Sequence, residues 1–278
     1  MIVVTHKDYE MPTDERYLPI YVGVGIPKLK DKFQLDDAGE NISEKSITYC
    51  ELTAIYWAWK NLNLADLDYV GVAHYRRHFS MKKGAKKIEE AIRHEELDKI
   101  MRSLGDKAVI ATPAKQYFTS VQKHYEGSLN GYEEIHKKDI KRLKEAIHVC
   151  SPNYDESASK VLNAHEANML NMFIMSSKNF NPYCEWPFPI IDKVLALSGD
   201  REDLRRYAGA LSEFCLDIWG KLYLYQRMTT PGDGETFFYQ QDGSVYQEKS
   251  LSEKKTVILQ EGRLLEQKCS CNRRCKVA

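Results

Sequence analysis

Short, apolar, β-favouring runs separated by stretches of helical periodicity are what most constrain this chain. Such runs occupy residues 1–6 (MIVVTH), 18–25 (LPIYVGVG), 69–73 (YVGVA), 107–111 (KAVIA) and 168–176 (NMLNMFIMS). Amphipathic segments lie between and after them, expected as helices over 43–61, 86–104, 132–149, the second half of 179–197, and 202–226. Strands alternating with helices imply an α/β fold, a sheet with helices packed on its faces. Neither an internal repeat nor a linker divides the chain, and 278 residues suffice for a large core.

In the 43–61 helix, Ile47, Cys50, Ala54 and Ala58 recur at helical spacing and mark the expected inward face. Asn41, with Glu44 three residues on, reads as its cap. Glu51 falls on the same stripe, and a carboxylate there must be paired or must serve a site. Tyr56, Trp57 and Trp59 read as core packing. Two polar stretches, 34–43 (QLDDAGENIS) and 114–131, read as loops, the second as a lid.

The third run ends abruptly in charge: VGVAHYRRHF, with His74, Tyr75, Arg76, Arg77 and His78. Ligands of open α/β sheets sit beyond the carboxyl ends of strands. Three of the runs deliver polar groups there: Thr5-His6-Lys7, His74 to Arg77, and Thr112. Guanidinium forks match phosphate oxygens and stay charged at physiological pH. Adjacent arginines on an extended segment face opposite ways, so one is expected on a phosphate and one on a carboxylate such as Glu51. The alternative is a strand capped by solvated charge. The Asp66-Leu67-Asp68 triplet precedes its strand and lies at the wrong end of the sheet for a shared metal–diphosphate site. A divalent ion, manganese or magnesium, is therefore not favoured, and no cofactor is firmly expected; cationic side chains can balance a leaving diphosphate.

Other classes fit less well. Gly-x-Ser-x-Gly, the phosphate-loop pattern and His-Glu-x-x-His are absent, and the Gly-x-Gly at 23–25 has no third glycine. Cys50 or Cys150 has nothing to orient it as a nucleophile. Forty basic and forty acidic residues cancel, so no global field recruits nucleic acid. Seven cysteines, an odd number, suit a reducing compartment; Cys269, Cys271 and Cys275 crowd a basic tail whose spacing is tight for zinc. No apolar run is long enough to span a membrane, and the first residues do not read as a secretory signal, so a cytoplasmic location is expected. The 17 tyrosines suit a ring-stacking ligand and core packing equally.

The ordered blocks THK, DDAGENIS, YCELTAIYWAWKN, DYVGVAHYRRHF and NMFIMSSKNFNPYCEWPF resemble the bacterial family described as domain of unknown function 4422, over about residues 2–225. The resemblance implies a GT-A-like nucleotide-sugar-binding fold, a mixed sheet flanked by helices, in a domain over 1–225, with 226–278 as a C-terminal extension. It also implies a glycosyltransferase of surface-polysaccharide assembly (capsule, exopolysaccharide or O-antigen). Such an enzyme would move galactofuranose or galactose from a UDP-sugar to a lipid-linked glycan. It would work at the inner face of the plasma membrane, with peripheral membrane contact. On the resemblance, His74, Tyr75, Arg76 and Arg77 stand where related folds carry an Asp-x-Asp. Thr5, His6 and Lys7 flank the nucleotide, Asp36, Asp37 and Asn41 face the donor, and Asn171 lines the acceptor side. If the reaction inverts, a base is needed near the acceptor hydroxyl; Asp37, Glu166 and Glu213 are the candidates. A non-catalytic nucleotide- or carbohydrate-binding protein and a phosphodiester-cleaving enzyme remain the alternatives.

Overall fold

The computed structural model describes residues 1–23, 32–82, 85, 87–105, 109–112, 114–128, 133–201 and 203–228, with strand segments at 237–239, 245–247 and 265–266. The Pro-Gly-Asp-Gly-Glu turn, the cysteine-containing tail and the Gly-x-Gly beyond Gly23 lie outside the described residues.

In chain order the strands begin with β1 (Ile2–Thr5), β2 (Leu18–Tyr21) and β3 (Gln34–Leu35). A 3-10 turn (Ser43–Lys45) leads into α1 (Ser46–Tyr49) and α2 (Leu52–Asn61). Next come β4 (Tyr69–His74), β5 (Arg77–His78), α3 (His94–Leu104), β6 (Val109–Ala111) and β7 (Lys115–Gln116). After these follow α4 (Val121–Glu126), α5 (Glu133–Cys150), α6 (Asp155–Asn163), β8 (Glu166–Ala167) and β9 (Phe173–Ser176). The helices α7 (Ser177–Glu185), α8 (Pro187–Ala196), α9 (Tyr207–Ser212) and α10 (Cys215–Met228) complete the helical layer.

The strands order as β3-β2-β1-β4-β9-β6. β1 is parallel to β2 and to β4, whereas β9 runs antiparallel between β4 and β6. The mixed sheet flanked by helices is thus the expected fold class. One face carries Val4, Val72, Phe173 and Met175 into a large core with α2, α5, α7, α8 and α10. The other carries Ala73, Ile110 and Ile174 against Leu97 and Met101 of α3. Those two residues are one helical turn apart, and α3 stops at Gly105, whose φ of 70° a side chain would resist. The chain leaves β1 toward β2 on one side and returns to β4 on the other. The crevice outside β1 and β4 is therefore the topological switch point of the sheet.

Several expected elements are corrected. The helix expected over 43–61 is broken at Cys50, whose φ of 52° and ψ of −125° no helix tolerates. The break resets the helical phase. Ile47, expected inside, is 70% exposed, while Ala54 and Ala58 on α2 are fully buried. Asn41 caps no helix; its side chain closes the preceding turn on the Asp37 and Gly39 carbonyls and the Ser43 N–H. The 86–104 helix begins only at His94, 179–197 is helical in both halves rather than the second alone, and 202–226 divides between α9 and α10. The long lid-like loop contains β7 and α4. Trp57 is buried, and Trp59 stacks on Phe188 at 5.6 Å, so those aromatics pack as expected.

Candidate active site

His74 ends β4 and pairs with Arg77 at the start of β5, leaving Tyr75 and Arg76 as a two-residue turn. This hairpin, rather than a bare strand end, separates the two guanidiniums. Arg76 is exposed at the tip, 5.1 Å from the Tyr75 ring centroid. Arg77 folds back, half-buried, into the wall of a cavity. Tyr75 is buried and meets His6 and Tyr9 edge-on at 5.0 and 4.6 Å. Thr5 is 1% exposed, and its hydroxyl, donating to the Lys7 carbonyl, bends the chain so that His6 and Lys7 project outward. Burial lowers the His6 pKa, and the charges of Lys7, Arg76 and Arg206 lower it further. Four cationic side chains, Lys7, Arg76, Arg77 and Arg206, thus gather around the switch point.

The cavity beside this rim holds about 510 Å³ and is lined by Arg77, Thr112, Lys115, Tyr117, His124, Tyr125, Leu170, Glu213 and neighbouring apolar groups. Its size and its mix of aromatic walls with a few polar groups suit a small polar ligand. Glu213 follows α9, on its wall. Burial pushes its carboxyl up to about 7, and the charge of Glu51 adds to the shift. The Leu170 N–H and the charges of Arg206 and Arg77 oppose it. At neutral pH such a carboxyl can either take or give a proton. Asp217, one helical turn on, is likewise raised to about 7 by burial, against its hydrogen bond from the Asn168 N–H at 2.8 Å. Sequence reading missed Asp217. Its signal was the four-residue spacing from Glu213 on an otherwise apolar helix.

The remaining expected residues are distributed more widely. Asp36, directly after β3, is fully buried; Oδ1 accepts from the Ser43 hydroxyl at 2.5 Å and from the Gly23 N–H at 3.3 Å, so it braces the loop after β3 against the end of β2. Asp37 is exposed on the same loop, and Asn41 is spent on the turn. Glu166 is exposed on β8 and accepts from the Gln116 side chain, one strand away from the cavity wall. Asn171, expected on the acceptor side, is 2% exposed beneath the floor. There its amide donates to Glu51 at 2.7 Å and to the Ser212 hydroxyl at 2.8 Å. Glu51, expected to partner an arginine, accepts from the Asn171 amide. His74 is pushed down by burial, against the attraction of Glu51.

The four described non-glycine residues with positive φ are Cys50 (52°), Leu170 (88°), Asn171 (50°) and Arg206 (57°). Glu51, Arg206 and the Leu170 N–H all act on Glu213, so these strained corners converge on one carboxyl. Such strain, concentrated where the surrounding structure holds it, is typical of functional sites. Among the described residues, the group with metal-ligand spacing is Asp14, His94 and Glu95, beside the start of β2. Asp66 precedes β4, as expected from the sequence.

Residues 1–223 match the family described as domain of unknown function (DUF4422). The chain belongs to this family. A solved structure titled "WbbM bifunctional glycosytransferase apo structure" is similar at 26% identity with a TM-score of 0.66. The match covers 86% of this chain but 44% of that one, so this member of the family spans less than half of the larger protein. No curated protein matches. Among the described residues, no helix is long and apolar enough to cross a membrane.

Proposed function

We propose that this chain is a glycosyltransferase that takes its sugar from a nucleoside-diphosphate donor. The observation carrying the reading is that Arg77 and Glu213 line one cavity beside the cationic rim. The cationic rim receives the diphosphate, and Glu213 serves the acceptor hydroxyl. Likeness to a structure titled a glycosyltransferase supports this assignment.

Transfer breaks the bond between the anomeric carbon and the diphosphate oxygen, so negative charge grows on the leaving group. Lys7, Arg76, Arg77 and Arg206 supply fixed positive charge around it, stabilisation that needs no proton movement. The acceptor hydroxyl attacks the anomeric carbon, and its proton passes to ionised Glu213. A base with a pKa near the working pH is partly ionised and still basic enough to pull. Tyr117 and Tyr125 offer ring faces, and Thr112, Lys115 and His124 polar contacts, for an acceptor sugar. The finer reading is a UDP-linked galactofuranose or galactose donor, with a lipid-linked glycan acceptor at the inner face of the plasma membrane.

The test is incubation of purified protein with UDP-sugars and glycan acceptors, measuring released UDP. Arg77→Ala and Glu213→Gln should each lower turnover by roughly a hundredfold or more while the protein stays folded. If UDP-sugars neither raise the melting temperature nor yield UDP with any acceptor, the reading fails.

A further inference from the structure

Leu170 and Asn171 approach β9 with φ of 88° and 50°, two successive non-glycine residues in the left-handed region. Each such residue is costly and persists only where its surroundings hold it. The clasp is the Asn171 side chain, almost fully buried, whose amide donates to Glu51 Oε1 at 2.7 Å and Ser212 Oγ at 2.8 Å. Glu51 in turn follows Cys50, the left-handed break between α1 and α2. Two strained corners from distant parts of the chain are therefore tied by one charge-assisted hydrogen bond. Leu170 lines the cavity together with Glu213, and its N–H favours the ionised Glu213 carboxylate.

We propose that Glu51 and Asn171 are positioning residues, whose hydrogen bonds to each other and to Ser212, the neighbour of Glu213, hold the left-handed corner so that Leu170 and Glu213 keep their places on the cavity wall. This rests on the reading of Glu213 as the proton-transferring group. The groups acting on Glu213 come from several elements: Glu51 at the start of α2, Arg77 on β5, Arg206 before α9, and the Leu170 N–H before β9. Tyr117, after β7, feels both Glu213 and Asp217, and Cys50 feels Glu213. Lys115 and His124 line the same cavity.

Glu51 acts on Glu213 twice, with opposite signs. Through Asn171 it keeps the amide in place, which favours the ionised carboxylate; through its own charge it disfavours that form. Two substitutions separate these effects. Glu51→Gln keeps an oxygen for the Asn171 amide and removes the charge, so Glu213 should titrate lower. Asn171→Gly tolerates the left-handed backbone and deletes the clasp, so Glu213 should titrate higher.

The experiment is a carbon-13 titration of the Glu213 carboxyl, assigned with Glu213→Gln, in the full chain and both variants. The wild-type midpoint near 7 should fall in Glu51→Gln and rise in Asn171→Gly, each by about half a unit or more. Ser212→Ala, which removes one clasp partner and leaves the backbone alone, should move it the same way as Asn171→Gly. An unmoved midpoint in folded Asn171→Gly, or in Ser212→Ala should the glycine variant not fold, overturns the proposal. So do shifts of one sign in Glu51→Gln and Asn171→Gly. Because the titration reads Glu213 directly, unmoved midpoints beside intact UDP release would sink the positioning claim alone, whereas absence of UDP release would sink the transferase reading on which it rests, whatever the midpoints do.

Discussion

Gly209 lies so close to Cys50 that a β-carbon on it would stand 3.1 Å from the Cys50 Cβ and 3.2 Å from its Sγ. This contact lets α9 settle on the corner between α1 and α2, and the Arg206 N–H donating to the Ile47 carbonyl at 2.8 Å fastens the same seam. Gly209→Ala should therefore destabilise the fold by about 1–3 kcal/mol, read as a lower denaturation midpoint. Cys50→Gly both clears the space and relaxes the 52° φ, so the double variant should recover most of the loss. A double variant no better than Gly209→Ala would show that the seam is not the cause.

Glu213 should weaken the fold where it is ionised. Its folded pKa, about 7, lies above the ordinary 4.5, so the folded state binds the extra proton between those values and stability falls as pH rises through that window. Asp217 tilts the curve the same way. His78, pushed down to about 4 by burial, tilts it oppositely: stability rises with pH between about 4 and 6.5. Comparing Glu213→Gln with the wild type cancels the other two. The variant should gain about 2 kcal/mol at pH 8 and nothing at pH 4, measured by chemical unfolding. A gain equal at both pH values would show that the ionised carboxylate costs the fold nothing.

The strands β1, β2, β4, β6 and β9 were legible because each is a compact apolar run, whereas the two-residue strands β3, β5, β7 and β8 carry polar or charged residues and were not. What escaped was every place where one residue's backbone departs from its neighbours. Nothing in the composition of Thr-Tyr-Cys-Glu-Leu marks Cys50 as left-handed, so a single helix over 43–61 was expected and Ile47 was put on the wrong face. Asn171 was placed on the acceptor side by the family resemblance alone. Its burial follows from the left-handed corner, which periodicity cannot show. Glu213 was visible because a carboxylate in ALSEFCLDIW interrupts an apolar helical face. Asp217 interrupts it one turn later and was passed over.

A second buried charge cluster ties the helices behind the cavity. Asp139 is fully buried and accepts from Arg142 at 3.2 Å and from Arg201 at 3.0 Å, with the Tyr125 hydroxyl at 3.4 Å. Arg142, on α5, is buried, and Asp139 and Asp200 both take its guanidinium. Removing the acid takes away the partner that two largely buried guanidiniums share and leaves Arg142 only the exposed Asp200. Asp139→Ala should cost about 3–5 kcal/mol, more than Lys137→Ala at the exposed pair with Glu134, which should change little. Equal effects in thermal unfolding would contradict this account.

The hairpin at the end of β4 should give its two arginines separable signatures. Arg76 at the tip is one of the charges lowering the His6 pKa, whereas Arg77 helps to stabilise ionised Glu213. Arg76→Ala should raise the His6 pKa toward its ordinary value, followed by proton NMR of the imidazole, and leave the Glu213 midpoint in place. Arg77→Ala should do the converse, raising the Glu213 midpoint while His6 titrates as before. On the transferase reading both weaken UDP binding, and both losses shrink as salt is added, because exposed charge is screened within about 10 Å at 0.1 M ionic strength. Arg77→Ala alone should also move the acidic limb of the rate profile upward, since it alone shares the cavity with the proton acceptor. If both substitutions perturb His6 and Glu213 alike, the two-residue turn does not divide the guanidiniums between rim and cavity.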